Sequence, residues 1–375
     1  PGENGRQEGS IMIQKVRIQN FKSLRDVSVE LERFTVFVGA NGSGKTSVLE
    51  AIHNAVRAAT GDPQKVFAHE RHGDWVYTRG GAGDLSIRCE TEGGAFTIEA
   101  TPPEGYPPAP DLLQKELWTY RISPAGPPLL HALEPARGLL LLRLNAAIMA
   151  RPSYSLHDPP RVEYTGEGLA SVLAYMALND PQGFDTLVGE ARKLIPRLRR
   201  IRFLKTVVYQ TENELVRFGR DTVNRSIRRP VPGELMLFDF EHAENVSART
   251  ASEGTLMMLG LITVLLGPIR PRILLLDDIE HGLHPLAQKH LVEVIERILQ
   301  EFQDLQLLVT AHSPYLLDYV APEQVRIMAV DEYGHARCGR LIDHPKFETW
   351  KEEMAPGEMW SVFGEKWVTE REVRS

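Results

Sequence analysis

The octapeptide Gly39-Ala40-Asn41-Gly42-Ser43-Gly44-Lys45-Thr46 constrains this chain more than any other stretch, because it reads G-x-x-x-x-G-K-T between two strong local signals. Before it, Phe34 to Val38 is a short apolar run rich in β-favouring residues. After it, Ser47 to His53 suits a helix. Strand, glycine loop and helix make an anion cradle. Glycines let the backbone curl until several N–H groups face one anion, and the helix N-terminus adds its dipole. Asn41, Gly42, Ser43, Gly44 and Ser47 are then expected around nucleotide phosphates. Lys45 should reach the β- and γ-phosphates, and the Thr46 hydroxyl should hold Mg²⁺.

The rest of the chain must supply what such a loop lacks. Its 375 residues, 42% hydrophobic and 25% charged, suit a globular protein with core for two or three domains. A net charge of −7 argues against polyanion binding by the whole surface but leaves room for a local basic patch. Cys89 and Cys338, the only cysteines, have no metal spacing, which fits a reduced cytoplasmic setting rather than a disulfide framework. No apolar run approaches the roughly 18 residues a membrane span needs. Leu256 to Ile269 comes nearest, and Gly260, Gly267 and Pro268 interrupt it. Residues 1–11 read as a tag or disordered leader, with Met12 the expected natural start.

Two strands are expected from Met12 to Glu32, with Val27, Val29 and Leu31 alternating at period two. A hairpin should follow around Glu92-Gly93-Gly94, with proline-rich loops near Thr101 to Pro110 and Pro124 to Pro128. Leu139 to Leu144 suits a buried strand. Gly166 to Leu178 and Pro181 to Ile195 suit helices. Ile201 to Tyr209 and Glu214 to Phe218 read as paired strands, and Leu235 to Phe240 as another. Then come a helix from Glu253 to Leu266, a buried strand Ile273 to Leu276, a helix Leu286 to Phe302, a buried strand Leu305 to Thr310 and a short helix from Pro314. Apolar strands alternating with helices predict an α/β fold with a largely parallel sheet.

Arg272-Ile-Leu-Leu-Leu-Asp277-Asp278 is a buried strand ending in two carboxylates. At the C-terminal edge of a parallel strand beside a phosphate loop, Asp277 is placed to hold Mg²⁺ and Asp278 to orient an attacking water. One βαβ interval later, His312 follows the next strand, where an imidazole could bond the γ-phosphate; a purely structural role is the plainer reading. Ser252-Glu253-Gly254-Thr255 opens an apolar helix. It reads either as a simple Ser N-cap or as a second anion site facing a partner's nucleotide.

In that order, Asn20-Phe-Lys-Ser-Leu24, Gly39 to Thr46, Ser252 to Thr255, Leu274 to Pro285 and Thr310 to Pro314 resemble the ABC-type ATPases. Ile18-x-Asn20-Phe21-Lys22-Ser23 and Gly282-Leu283-His284-Pro285 resemble specifically the RecF/SMC/OLD-like branch, which includes the AAA-labelled ATPases of prokaryotic defence systems. The resemblance covers about residues 12 to 60 and 166 to 330. It implies an ABC-type P-loop nucleotide-binding head with a mixed sheet, antiparallel N-terminal strands and an inserted lid or helical subdomain. It further implies ATP and Mg²⁺ as cofactors, Lys45 and Thr46 in the Walker A roles and Asp277 in the Walker B role. Ser252 and Gly254 match the signature loop, Leu283 and His284 the D-loop, and His312 the switch histidine. Such proteins act as head-to-tail dimers, so a second copy is an expected partner. Where the family usually has Asp-Glu-Pro-Glu, this chain has Asp277-Asp278-Ile279-Glu280. Either Asp278 reaches the water less well, or Glu280 shares the catalytic role, or hydrolysis is slow and ATP mainly holds the dimer together. Gln64 is the nearest candidate for the Q-loop glutamine.

The 207 residues from Lys45 to Ser252 leave room for an insertion, expected over 101–234, inside a core of 12–100 and 235–340. Without heptads this should be a compact lid, not a coiled-coil arm. Within it, Arg192 to Arg229 carries twelve cations against three carboxylates. Arg197, Arg199, Arg200 and Arg202 are the candidate contacts to a DNA or RNA backbone; the alternative is a solvated face that pairs with acidic groups. The tail 341–375 holds Trp350, Trp360 and Trp367, suited to core packing or to docking another subunit. The 63 residues after His312 are too few for the Toprim nuclease of OLD-type proteins, so a separate effector protein is the expected partner. The functional expectation is an ATPase that gates a nucleic acid or effector, by resemblance in anti-phage defence. The alternatives are an ATP-locked scaffold that holds a toxic partner, as in toxin–antitoxin pairs, and a transporter subunit, against which Asn20-Phe-Lys-Ser argues.

Overall fold

The computed structural model describes residues 12–61, 63, 66, 77–78, 81–92, 94–102, 119–123, 138–218 and 221–370, with the side chains of 212–225 not described. The leader 1–11, Gln64, and most of the two proline-rich loops (103–110 and 124–128) lie outside the described residues. The chain divides into two units: 1–141 with 271–280 and 285–375, and 142–270 with 281–284. The boundaries expected from sequence, near 100 and 234, fall inside these units.

The first unit begins with β1 (Ile13–Phe21), β2 (Leu24–Glu30), β3 (Phe34–Gly39), α1 (Lys45–Thr60), β4 (Leu85–Thr91), β5 (Gly94–Thr101), β6 (Thr119–Ser123) and β7 (Leu139–Leu142). Five of these strands form an antiparallel sheet ordered β2-β1-β4-β5-β6. Strand β6 thus belongs to the N-terminal sheet, although the sequence placed it within an insertion. Period-two alternation sends Val16, Ile18, Val27, Val29, Ile87, Cys89 and Ile98 into the core. Lys15, Arg17, Arg88 and Glu90 take the opposite face. Burial pushes the Cys89 thiol up to about 12. The turn between β1 and β2 puts Asn20 and Lys22 at φ 56° and 52°. Buried Asn20 donates through Nδ2 to the carbonyls of Ala82 and Asp84, at 3.0 and 2.9 Å, and Lys22 bonds Glu50 on α1. The Asn-Phe-Lys-Ser motif therefore ties the first hairpin to the segment before β4 and to the helix after the phosphate loop.

The second unit contains α2 (Ala146–Met149), α3 (Leu169–Asn179), α4 (Pro181–Leu194), β8 (Leu198–Phe218), β9 (Asp221–Phe240), β10 (Ala243–Ser247) and α5 (Glu253–Leu266). Asp180 starts α4 by accepting from the Gly183 N–H at 3.0 Å, with Pro181 in the first turn. Apolar almost all round, α5 is buried along its length and packs with α2, α3 and α4. The strands Ile201–Tyr209 and Glu214–Phe218, expected from sequence to pair with each other, do not. Both lie on β8, which pairs with β9 from Leu198↔Phe240 to Phe218↔Asp221. The polar Gln210-Thr-Glu-Asn213 looked like a turn, but it contains neither glycine nor proline and strand conformation runs through it. Pro230 and Pro232 are tolerated within β9 because β10 pairs only with its last residues, 237–240.

The first unit resumes with β11 (Ile273–Leu276), α6 (Pro285–Glu301), β12 (Gln306–Ala311), α7 (Pro314–Leu317), β13 (Val325–Val330), β14 (Ala336–Arg340), α8 (Phe347–Trp350), α9 (Pro356–Phe363) and α10 (Lys366–Glu370). A second sheet runs β14-β13-β3-β12-β11-β7. In it β13, β3, β12 and β11 are parallel and β14 is antiparallel, giving the expected mixed sheet. Strands β13 and β14 were not anticipated. Arg326 interrupts the apolar run Val325 to Val330, yet Arg326 itself is buried. In the tail, Trp367 is buried against Gly339, where an added Cβ would stand 2.9 Å from its ring. The Trp350 and Phe363 rings lie 6.4 Å apart, and the Trp360 indole donates to Glu365 at 3.3 Å. These contacts agree with a packing role for the tail.

Candidate nucleotide site

The phosphate loop leaves β3 in the middle of the mixed sheet and passes directly into α1. Gly39 has φ 150°, and a Cβ there would lie 2.2 Å from the Met328 carbonyl oxygen on β13. Gly44 has φ 96°, and its Cβ would meet Ala336 at 2.9 Å. Only glycine fits either place. The Ser43 N–H closes the turn on the Ala40 carbonyl at 3.2 Å, and Val48 N–H to Gly44 carbonyl begins the helix. Asn41 and Gly42 are exposed at the loop's tip, whereas Ser43 and Lys45 are buried. Ser43 Oγ has no hydrogen-bond partner. Lys45 Nζ donates back into the loop, to the carbonyls of Gly39 and Ala40 at 2.8 and 3.0 Å. Burial lowers its pKa from the ordinary lysine value, while Asp278, Glu365, Asp277 and Glu280 act the other way.

The neighbouring strand ends converge on this loop. Asp277 follows β11, and its Oδ1 accepts from Thr46 Oγ1 at 2.8 Å and Thr310 Oγ1 at 2.7 Å. The Asp278 N–H donates to the same Thr310 hydroxyl at 2.8 Å, and the Ile279 N–H donates to the Thr310 carbonyl at 3.1 Å. Sequence reasoning gave Thr310 no role. The available signal was a hydroxyl at the end of an otherwise apolar strand beside the Asp277 strand. The register Leu276↔Val309 then makes Asp277 and Thr310 neighbours.

Asp278 adopts φ 56°, a left-handed conformation that is sparsely populated outside glycine, although aspartate tolerates it. Its Oδ1 lies 3.4 Å from His312 Nε2. The Glu280 side chain accepts from the His312 N–H. Burial raises the Glu280 pKa above the ordinary carboxylate value, and the bond from His312 opposes the shift. Ser313 Oγ donates to Gln288 on α6 at 2.6 Å, fixing the segment after His312. The three candidate catalytic residues, Asp278, Glu280 and His312, therefore form one contiguous group.

In the second unit, Ser252 caps α5. Its Oγ accepts from the Thr255 N–H at 3.2 Å and bonds the Thr255 hydroxyl at 2.8 Å. A Cβ on Gly254 would stand 3.3 Å from the carbonyl oxygen of Gly282, which is itself left-handed at φ 72°. On the basic segment Arg199 and Arg200 are exposed, and Arg197, also exposed, has φ 65°. Arg202 donates to Asp239 and Asn245, both at 2.7 Å, and Arg202 with the Asn245 N–H holds the Asp239 carboxyl below its usual range. Lys193 pairs with Glu190 and Lys205 with Glu234. Part of the basic charge is thus offset locally.

The donor set of the first unit fits an ATP triphosphate with Mg²⁺. Lys45 is a buried cation held by carbonyls alone, Ser43 has an orphan hydroxyl, and Thr46 and Asp277 share one bond at the loop. Thr46 and Asp277 would hold the metal, which supplies charge neutralisation for the phosphates.

Fold and site together define an ATPase head of the ABC/SMC/OLD type. The family described as "AAA domain, putative AbiEii toxin, Type IV TA system" matches residues 128–318, half of the chain, and the chain belongs to that family. A second family, described as an AAA ATPase domain, matches residues 12–71. The chain is 21% identical over 348 residues to the OLD nuclease of Thermus scotoductus, covering 85% of this chain and 62% of that protein. It is 30% identical over 94 residues to the chromosome partition protein Smc of Methanocaldococcus jannaschii, covering 24% of this chain and 8% of that protein. The chain thus spans less than two thirds of the length of either relative. Among solved structures it is similar to the Smc head domain with an extended coiled coil bound to the C-terminal domain of ScpA, from Pyrococcus furiosus. The TM-score is 0.53 at 13% identity, over 91% of this chain and 99% of that one. An SmcHead bound to the C-winged helix domain of ScpA gives 0.50 at 14% identity, over 87% and 96%. Among the described residues, no helix is long and apolar enough to cross a membrane.

Proposed function

We propose that this protein binds ATP with Mg²⁺, closes against a second copy of itself around the nucleotides, and hydrolyses ATP to control its hold on a nucleic acid or a separate effector protein. The observation that carries this reading is the convergence of Lys45, Thr46, Asp277, Thr310, Asp278 and His312 at the ends of β3, β11 and β12. In this reading Asp278 accepts the proton of the attacking water, His312 bonds the γ-phosphate, and Glu280 orients His312 through its backbone N–H. Ser252 and Gly254 of one copy cap the nucleotide of the other with a helix N-terminus. Arg197, Arg199 and Arg200 offer the exposed charge for a nucleic-acid backbone, and Arg202 is already engaged by Asp239. The family's toxin–antitoxin description and the similarity to an OLD nuclease support a setting in anti-phage defence.

A second reading is favoured by the left-handed Asp278 and its place beside His312. There ATP acts as a lock with little turnover, and the protein restrains a toxic partner. Steady-state ATP hydrolysis, measured beside assembly state with and without ATP, separates the two. Turnover that is lost in Asp278→Asn supports the gating ATPase. Negligible wild-type turnover with ATP-dependent assembly rejects it in favour of the lock. An Asp277→Ala protein that still turns over ATP would sink both.

A further inference from the structure

A groove of about 790 Å³ lies in the first unit, lined by residues of β1, β2, β4, β13, β14 and α10. None of its lining residues belongs to the phosphate loop or to the ends of β11 and β12. Its composition follows from strand alternation. The face of β1 and β4 opposite the core carries Lys15, Arg17 and Arg88, and the register places Arg17 directly across from Arg88. Strand β14 adds Arg337 and Arg340, and β13 adds Arg326. These six cations face four carboxylates: Asp26, Glu30, Glu90 and Asp343.

The exposed guanidinium groups are held in fixed positions. Arg17 makes two bonds to Asp26, at 3.1 and 2.9 Å. Arg340 makes two to Asp343, at 3.0 and 2.9 Å, and one to Glu30 at 3.0 Å. Arg88 bonds Glu90 at 2.9 Å. Arg326 differs from them all. It is 1% exposed, its Nε donates to the Glu30 carbonyl at 2.6 Å, and its Nη1 donates to the Glu323 carbonyl at 2.5 Å. Its Nη2 has no hydrogen-bond partner, and the nearest carboxylate, Glu32, stands 3.8 Å away. A buried guanidinium satisfied by carbonyls alone keeps its full charge without a hydrogen-bonded counter-ion, which is costly unless an anion is available. The guanidinium fork suits a phosphate. Trp367 and Val368 give the same groove an apolar wall.

We propose that this groove binds a small phosphate-bearing molecule up to the size of a mononucleotide, at a site separate from the phosphate loop. Arg326 provides the charge at the floor, and Arg88 and Arg340 grip the phosphate at the rim. The volume falls within the range of pockets for small ligands. Because β14 also supplies Ala336, which packs on Gly44, the groove's wall is continuous with the phosphate loop's support.

The test uses the full chain carrying Lys45→Ala, so that the phosphate loop no longer dominates binding, and titrates it calorimetrically with inorganic phosphate and with AMP. Saturable binding, weakened about tenfold or more by adding Arg340→Gln or Arg88→Gln at an unchanged melting midpoint, is the expected result. Equal affinity for the two probes assigns the site to free phosphate; tighter AMP binding assigns it to a mononucleotide. Arg326→Lys keeps the buried charge if Arg326→Gln fails to fold, and it should weaken both probes less than Arg340→Gln, because the buried Arg326 acts through its charge. Absence of saturable binding up to about 10 mM overturns the proposal, as does binding that Arg326→Lys and Arg340→Gln both leave unchanged. Binding confined to oligonucleotides or acidic peptides overturns it as well.

Discussion

The phosphate-loop edge of the mixed sheet and the β8–β9 ribbon both gather polar residues, but by opposite physical means. At the loop, Lys45, Thr46, Asp277 and Thr310 come from three strand ends far apart in sequence, and each is bonded to another member or to loop carbonyls. On the ribbon, the cations follow one another along one stretch of chain, and Arg202 and Lys205 each pair with an acid on the adjacent strand. The first arrangement is cooperative, so removing one member disturbs several. The second is modular, so single changes should be small and nearly additive.

That contrast can be broken in order of expected effect. Lys45→Ala should lower kcat/KM for ATP by at least about 10³-fold, because it removes a buried cation from the phosphate site. A milder loss would mean that the loop does not carry the nucleotide. Asp278→Asn should cost turnover about 10²-fold while nucleotide affinity, read by fluorescence titration, stays within a few-fold. Equal losses in both would assign Asp278 to binding. Thr310→Val, nearly the same shape, should cost about 1–3 kcal/mol in denaturant unfolding by stranding Asp277 and the Asp278 N–H. An unchanged midpoint would show that the hydroxyl is not a shared link.

The pH dependence sharpens the same division. Burial on α1 pushes His53 down from 6.5 to about 4. A depressed histidine stays neutral in the folded state, so its contribution is present above pH 6.5 and is lost as the pH falls toward 4. His53→Gln should flatten the melting midpoint over that window. Glu280 has the opposite sign: its raised pKa gives stability at low pH that is lost as the pH rises past 4.5. Glu280→Gln should therefore be more stable than the parent at neutral pH, and a lower midpoint there would contradict the burial argument. The smallest effects belong to the ribbon. Arg202→Gln should shift the melting midpoint only slightly, since its pair with Asp239 is partly exposed and screened by solvent. Reversing Arg199, Arg200 and Arg202 to Glu should weaken binding of a DNA or RNA oligonucleotide several-fold and flatten its salt dependence; unchanged binding would remove the nucleic-acid role of this face.

The loop, α1, the buried β11 and β12 and the acids after them were legible because each is a local signal. A glycine pattern, a period or an apolar run ending in charge needs no distant partner to be read. Strand β13 was missed because Arg326 breaks its apolar run, and only the carbonyls of Glu30 and Glu323, brought together in the fold, make that arginine acceptable inside. Strand β8 was read as two paired strands because strand propensity and turn propensity compete over Gln210 to Asn213, and pairing with β9 decides between them.

The sequence by itself determined that a phosphate cradle exists, that Asp277 ends a buried strand and that His312 follows one crossover later. Those are consequences of order and spacing along the chain. Tertiary structure alone decided that Thr310 joins Asp277 to the Asp278 backbone, that Asp278 sits in a left-handed conformation beside His312, and that an arginine can be buried beneath a charged groove. Each depends on register between strands or on the fate of a buried polar group, and neither is encoded in any short window of sequence.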